Sequence, residues 1–276
     1  MIGLDRVRGT IRRRILVNFR VDPEVMRRML PPGFEPKLAH GHAVAGICLI
    51  RLEHERPSWV PWTIGASSEN AAHRVAVCRT DARGEREESV YIARRDSDSA
   101  LNRWAGGRLF PGEHGPARFV VDDDGTAVRL DMRAADGLQV GLRARDASSL
   151  PAGSAFASLE EASAFFRGGA LGYSVTRTRS RLDALYLDTG SWRVVPLAVG
   201  SVQTTFFENV TRFPPGSVAF DCGLIMRDIA HTWRREADLH LTETRDPRAA
   251  YSDANTSDLM TTGTTPAGRT TSPMST

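Results

Sequence analysis

The central part of the chain, residues 68–114, reads SENAAHRVAVCRTDARGEREESVYIARRDSDSALNRWAGGRLFPGEH. Two apolar runs, 75–77 and 90–92, flank a charged segment that has Gly84 near its middle. This pattern is typical of a β-hairpin with a charged loop. The stretch therefore predicts two antiparallel strands, and it predicts that the charged residues at their ends lie either in solvent or in a cavity.

The rest of the sequence extends this hairpin into a large sheet. Further strands are predicted at 11–19, 43–52, 119–121, 127–132, 138–144, 172–177, 184–187, 194–207 and 218–226. Turns with Asp-Gly pairs separate the strands between 119 and 144 and predict an antiparallel meander. A sheet of about ten strands usually curls or closes to remove its edges. We therefore predict a mainly β (α+β) fold, a curved antiparallel sheet closing into a cone or barrel with an internal cavity.

A few short helices accompany the predicted sheet. The first begins at the Asp-Pro pair 22–23, because aspartate caps free amides and proline at the first helical position loses no hydrogen bond. The second spans 98–105 and ends at two glycines. The third spans 158–166 and begins with a Ser-x-x-Glu capping box. Residues 225–233 fit either a strand or a helix.

The pattern indicates one domain over 1–246 and a disordered tail over 247–276. The tail is rich in Thr and Ser and has too few apolar residues to offset the entropy of ordering. No apolar run approaches the roughly 18 residues that span a bilayer, and the N-terminus shows no secretory signal. The three cysteines are far apart and predict buried free thiols in a reducing compartment. We expect a cytoplasmic protein with no membrane partner.

The charges are almost balanced, with 36 basic and 33 acidic residues and a net charge of +3. A nucleic-acid binder concentrates its basic residues on one face, whereas here both signs are mixed throughout. We predict no nucleic-acid partner and leave homo-oligomerisation open.

Common catalytic and cofactor motifs are absent from the sequence. It contains no nucleophile elbow, no dinucleotide-binding glycine pattern and no P-loop. His40-Gly41-His42 has no recognisable set of further metal ligands around it. We predict no metal and no cofactor.

The charged residues at the strand ends form the candidate site. Arg74 and Arg95 alternate with apolar neighbours, so one face of the hairpin could aim guanidinium groups into a barrel mouth and hold a carboxylate or enolate. A glutamate there, Glu69, would have its pKa raised by desolvation and could serve as acid or base. The alternative is that Glu69 and Asp96 pair with nearby arginines and close the mouth structurally. The residues assigned to the site are Glu69 as the catalytic group, and His73, Arg74, Arg94 and Arg95 as ligand-binding groups.

Seven strings along the chain resemble a bacterial family of unknown function, the YqjF-like proteins of the acetoacetate decarboxylase-like superfamily. They are VNFRVDPEVMRRMLPPGFEP at 17–36, SENAAHRVAV at 68–77, VYIARRDSDSALN at 90–102, LFPGEH at 109–114, SLEEASAFFRGGALGYSVT at 158–176, W-x-V-x-P-L at 192–197 and FFENVTRFPPGSVAFDCGLIMRDIAHTW at 206–233. The resemblance covers nearly all of the predicted domain. It implies a curved antiparallel sheet that forms a cone or barrel around a cavity.

The resemblance also implies that the Schiff-base chemistry of the decarboxylases is absent from this chain. The decarboxylases form a Schiff base through a buried lysine in a strand-end signature of a proline followed by two lysines. The matching positions here are Ala93, Arg94 and Arg95, and arginine does not lose its proton. The only lysine, Lys37, is predicted in a turn. Imine-forming decarboxylation is therefore expected to be absent, while Arg12 falls near a substrate-binding arginine of the decarboxylases.

Two functions remain open at this stage. The first is binding of a small organic acid or carbonyl compound in the cavity, with non-covalent acid/base chemistry of a lyase or isomerase type. The second is a non-catalytic small-molecule-binding or scaffolding protein without turnover.

Overall fold

The computed structural model describes residues 6–61, 65–81, 83–100, 112, 114–176 and 180–241. The predicted tail over 247–276 and most of the helix predicted at 98–105 lie outside these ranges. The strands are β1 (Arg6–Val21), β2 (Glu35–Pro36), β3 (Leu38–Ala39), β4 (His42–Pro57), β5 (Ala66–Thr80), β6 (Arg86–Ser97), β7 (His114–Asp123), β8 (Ala127–Ala134), β9 (Gln139–Asp146), β10 (Leu171–Val175), β11 (Arg181–Thr189), β12 (Val195–Thr204), β13 (Val218–Arg235) and β14 (Leu239–His240). The helices are α1 (Pro23–Met29) and α2 (Leu159–Arg167).

The strands form one sheet that closes on itself in two places. A first ring runs through β1, β4, β5, β6, β10, β11 and β13, and the pairing of β11 with β13 closes it. A second ring leaves β6 through β7, β8, β9 and β12 and returns at β13. Both rings share the wall from β13 through β1, β4 and β5 to β6. The predicted closed and largely antiparallel sheet is confirmed.

The shared wall is buried on both faces. Side chains on alternate positions of β1 enter two apolar clusters, with Ile15 and Val17 in one and Leu16 in the other. The first cluster includes Leu130 of β8, and the second includes Phe166 of α2. A strand covered on both faces needs apolar residues at consecutive positions, which accounts for the unbroken apolar run in β4.

The helix ends follow the predicted caps. The Asp22 carboxylate accepts hydrogen bonds from the backbone amides of Glu24 and Val25, and the Ser158 hydroxyl accepts one from the amide of Glu161. The segment 225–233 fitted either a strand or a helix. It lies within β13, because it pairs along its length with β1. In the described part of the chain, neither helix is long and apolar enough to cross a bilayer.

Candidate functional site

A cavity of about 90 Å³ lies inside the first ring. On the order of 10–15 Å³ of such space holds one water molecule, so this cavity has room for an acid of roughly six non-hydrogen atoms. Its walls come from all seven strands of the ring, from β7 and from the segment after α2. The lining residues are Arg14, Cys48, Ile50, Leu52, Asn70, Ala71, Ala72, Arg74, Val90, Ile92, Arg95, Asp96, His114, Gly169, Ala170, Gly172, Leu185, Leu187 and Trp233.

Arg74 and Arg95 are two cations in this mostly apolar wall. Arg74 is 6% exposed, donates from Nη2 to Asn18 Oδ1 at 2.5 Å, and lies 5.0 Å from the ring centre of Phe166. Arg95 donates from Nε and Nη2 to the Ser174 hydroxyl at 3.1 and 3.0 Å. Among the residues that the structure describes, no carboxylate oxygen lies within 4.0 Å of either guanidinium.

Burial lowers the pKa of both side chains, to about 10 in each case. Desolvation penalises the charged form and is the largest cause for Arg74 and for Arg95. Both groups still carry their positive charge at neutral pH. Arg74, Arg95 and Arg14 thus line one small cavity, and in the described ranges none of these guanidiniums has a carboxylate oxygen within 4.0 Å.

A β-bulge decides which arginine of β6 enters the cavity. His73 pairs with Arg94 and Arg74 pairs with Ile92, so Ala93 is an extra residue in β6. Strict alternation from Ile92 would place Arg94 beside the cavity. The extra residue shifts the alternation by one position, and Arg95 lines the cavity instead.

Arg94 does not line the cavity and is held by two acidic partners, of which Asp96 is itself a lining residue. Its Nε and Nη2 donate to the two carboxylate oxygens of Asp96, both at 2.7 Å, and Nη1 donates to Asp136 at 2.5 Å. These hydrogen bonds raise the pKa of Arg94. The Asp96 carboxylate is fully buried in this pair, so Arg94 and Asp96 form the structural ion pair that was the alternative interpretation of the sequence.

Glu69 lies outside the cavity lining. Its carboxylate accepts a hydrogen bond from Arg13 Nη2 at 2.7 Å, and Arg13 also lies 3.5 Å from Asp123 of β7. Burial raises the pKa of Glu69, while Arg13 opposes that rise. Glu69 and the adjacent Asn70 point to opposite sides of β5, and only Asn70 faces the cavity. The structure thus does not bring Glu69 together with Arg74 and Arg95.

His73 and Arg12 lie elsewhere as well. His73 is completely buried 4.5 Å from the ring of Phe206, and neither ring nitrogen has a hydrogen-bond partner. Desolvation lowers its pKa to about 3, so the imidazole is neutral. Arg12 is the extra residue of a bulge between β1 and β4, its side chain is 60% exposed, and it pairs with Asp228.

The cavity lining includes Arg14 and His114, which the sequence interpretation did not assign to the site. Arg14 has Nε and Nη1 buried without a hydrogen-bond partner, and its guanidinium lies 5.8 Å from the ring centre of Trp192. His114 pairs with Arg95 across the parallel strands β6 and β7. Burial, followed by the charge of Arg95, lowers the pKa of His114 to about 3 against a hydrogen bond with the Gly112 backbone, and the buried Nδ1 has no partner among the described residues. The motifs R-R-R at 12–14 and LFPGEH are the signals that could have identified these two residues.

Lys37 does not line the cavity. Its Nζ lies 2.6 Å from a Glu88 carboxylate oxygen, donates to the Phe165 carbonyl at 3.1 Å, and sits 4.2 Å from the ring centre of Phe165. Since the chain has no other lysine, the cavity lining contains no side-chain amine.

A protein-family model named DUF2071, an uncharacterized conserved protein, matches residues 8–212. No curated protein matches the chain. The matched residues include β1 from Arg8 onward, β2 to β12 and all of the strand-borne cavity residues except Trp233.

Solved structures of acetoacetate decarboxylase-like proteins share the fold. The acetoacetate decarboxylase of Legionella pneumophila is 14% identical, with a TM-score of 0.54 over 84% of this chain and 87% of that chain. An acetoacetate decarboxylase-like enzyme from Sphingomonas wittichii is 13% identical, with a TM-score of 0.50 over 86% and 92%. The enduracididine biosynthesis enzyme MppR, with HEPES buffer bound, is 15% identical, with a TM-score of 0.50 over 86% and 86%. These likenesses show that the chain shares the acetoacetate decarboxylase-like fold, which the sequence resemblance predicted.

Proposed function

Because this chain belongs to the DUF2071 family of uncharacterized conserved proteins, we propose its function from the cavity itself: it binds a small organic acid or carbonyl compound between Arg74 and Arg95. One observation carries the proposal. Both guanidiniums line a small cavity, and no carboxylate oxygen in the described part of the chain lies within 4.0 Å of either one.

The electrostatics favour an anionic ligand. A buried charge without a partner lowers stability, so buried cations are normally paired with carboxylates. A bound carboxylate would supply the missing charge and could accept parallel hydrogen bonds from a guanidinium fork. The name of the Legionella relative, acetoacetate decarboxylase, denotes a substrate of the same chemical class.

The same wall supports non-covalent acid/base chemistry. His114 is uncharged, its Nδ1 lacks a partner, and its register partner Arg95 is a cation. In the unliganded protein the low pKa of His114 makes the imidazole a weak base. A carboxylate bound at Arg95 would offset the Arg95 charge that helps to lower this pKa, and the imidazole could then take a proton from a carbon next to a carbonyl group while the guanidinium stabilises the enolate that forms. We assign to His114 the acid/base role that the sequence suggested for Glu69, because the Glu69 carboxylate is bonded to Arg13 outside the cavity lining. The reaction class is lyase-like or isomerase-like without a Schiff base.

Binding is tested by isothermal titration calorimetry with a panel of 2-oxo acids and saturated acids of three to five carbons. Arg95→Gln is the main variant, because Arg95 is only partly buried and its loss leaves no buried carboxylate unpaired. Arg12→Gln is the matched control, since it removes the same charge from an exposed site. We expect at least a tenfold loss of affinity in Arg95→Gln and none in Arg12→Gln. Equal affinities in all three proteins, or no binding of any acid, would reject the proposal.

Exchange of the ligand's α-hydrogens with solvent distinguishes a catalyst from a protein that only binds the acid. If the protein catalyses enolisation, the α-hydrogens of a bound 2-oxo acid exchange with deuterated water faster in its presence, as proton NMR would show. A protein that only binds or senses the acid gives calorimetric binding without accelerated exchange.

A further inference from the structure

A second cleft, of about 360 Å³, adjoins the cavity. The two spaces share Arg14, Gly169, Ala170 and Leu187 as lining residues. Gly169 has no side chain and Ala170 only a methyl group, so Arg14 and Leu187 are the two large side chains in the common wall. The other lining residues of the cleft are Arg167, Tyr186, Asp188, Thr189, Gly190, Ser191 and Trp192.

From this arrangement we infer that the ligand is a short dicarboxylic acid, with one carboxylate between Arg74 and Arg95 and the second beside Arg14 at the start of the outer cleft. The inference rests on the proposed function, since it specifies the acid that the same cavity binds.

Charge is the first argument for two carboxylates. Three guanidiniums border the inner cavity, those of Arg14, Arg74 and Arg95, and none has a carboxylate within 4.0 Å in the described ranges. The one carboxylate residue in that lining, Asp96, is bonded to Arg94. A monocarboxylate would neutralise only one of these three cations, whereas a dicarboxylate would neutralise two.

The position of Arg14 is the second argument. It belongs to the walls of both spaces, and its buried Nε and Nη1 donors have no acceptor. Buried donors are almost always satisfied by protein, water or ligand. In the outer cleft, Arg167 is exposed and forms no ion pair among the described residues, and Asp188 offsets one of the two positive charges there. With Arg14 counted, the charged residues of the cleft thus leave a net positive charge.

Size sets the length of the acid. The inner cavity has room for roughly six non-hydrogen atoms, which is enough for one carboxylate and a short carbon chain but not for a second carboxylate with its own hydrogen bonds. An acid of about four or five carbons would reach past Arg14 and place its second carboxylate in the cleft.

The test compares succinate with monomethyl succinate, which has the same carbon chain and lacks the second charge. Affinities are measured by calorimetry for the wild-type protein, Arg14→Gln and Arg167→Gln. A charged hydrogen bond corresponds to a factor of roughly 10 to 100 in affinity, so the wild-type protein should prefer succinate by at least about tenfold. Arg14→Gln should lower the affinity for succinate more than the affinity for monomethyl succinate and so remove this preference. Arg167→Gln, on the surface, should reduce the preference.

The outcomes separate the two proposals. If succinate and monomethyl succinate bind the wild-type protein equally well, the second carboxylate site is rejected and the proposed acid-binding function stands. If neither acid binds, and no acid of the wider panel does, the proposed function itself fails. If circular dichroism shows that Arg14→Gln does not fold, two other measurements decide. One is the preference of Arg167→Gln for succinate, and the other is the affinity of the wild-type protein for glutarate and for monomethyl glutarate. An unchanged preference together with equal glutarate affinities would reject the inference.

Discussion

Arg95 of β6 and His114 of β7 are register partners in a parallel strand pair, and both side chains line the same cavity. The guanidinium supports the neutral form of the imidazole, because its charge and the burial of His114 both disfavour protonation. The pair therefore presents an anion-binding group and a neutral imidazole to one ligand, and an anion bound at Arg95 would offset part of the charge that holds the pKa of His114 low. This combination suits enolisation, since negative charge develops on the ligand as the proton leaves.

Replacing His114 by Gln should separate catalysis from binding. The amide keeps hydrogen-bonding capacity but cannot accept a proton, and general base catalysis typically contributes a factor of about 10² to 10⁴. We expect deuterium exchange of a bound 2-oxo acid to fall by at least a factor of about 100, with affinity by calorimetry changed less than threefold. Exchange at the wild-type rate in His114→Gln would exclude His114 as the base.

Replacing Arg95 by Lys should introduce the covalent chemistry that the wild-type cavity lacks. The new amine would lie in an environment that lowers the pKa of the residue now there, and a desolvated amine near another cation becomes a nucleophile. We expect borohydride to trap pyruvate on Arg95→Lys and not on the wild-type protein, as a mass increase on residue 95.

The control for this prediction is Arg94→Lys. That side chain would lie beside Asp96 and Asp136 and remain a paired ammonium. Trapping on Lys37 in the wild-type protein would contradict the view that this protein works without an imine.

The sequence was sufficient to predict most of the fold. Local patterns determine a β-hairpin, a capped helix or a doubly covered strand, and residues 43–52, 68–97 and 158–166 each contain a complete local signal. The parallel pairings of β6 with β7 and with β10 were not predicted. Such pairings join strands through long connections, and no nearby turn residue specifies the partner.

The site was harder to predict because its geometry depends on register. Arg74, a predicted site residue, lines the cavity on β5. Which of Arg94 and Arg95 lines the cavity depends on the bulge at Ala93. A bulge arises from the pairing of two strands, so the sequence of β6 alone does not reveal it. Glu69 likewise pairs with Arg13, which is 56 positions away in the sequence.

Replacing Glu69 by Gln should destabilise the protein without weakening ligand binding. The substitution leaves the buried Arg13 guanidinium with Asp123 at 3.5 Å as its remaining acidic neighbour. Breaking one side of a buried ion pair costs about 3 kcal/mol or more, whereas breaking the exposed pair in Arg12→Gln should cost less than about 1 kcal/mol. Urea unfolding measures both. If Glu69→Gln instead keeps its stability but no longer accelerates exchange of the α-hydrogens of a bound 2-oxo acid, Glu69 is the base, as the sequence suggested.

Replacing His73 by Phe should weaken the acid sensitivity of folding. The pKa of His73 is lowered from 6.5 to about 3 by burial, so the unfolded chain binds more protons than the folded protein between these two values. Stability that is present above pH 6.5 is therefore lost as the pH falls towards 3. At pH 5 this residue alone should cost the wild-type protein about 2 kcal/mol, from a difference of 1.5 pH units below 6.5.

Phe keeps the contact with the Phe206 ring and carries no proton. Urea unfolding measures how much the free energy of unfolding falls between pH 7 and pH 5. For His73→Phe this fall should be smaller than for the wild-type protein by about 2 kcal/mol. The surface variant Arg12→Gln should show the full wild-type fall. Parallel curves for the wild-type protein and His73→Phe would show that the imidazole gains solvent or a partner before it takes up its proton.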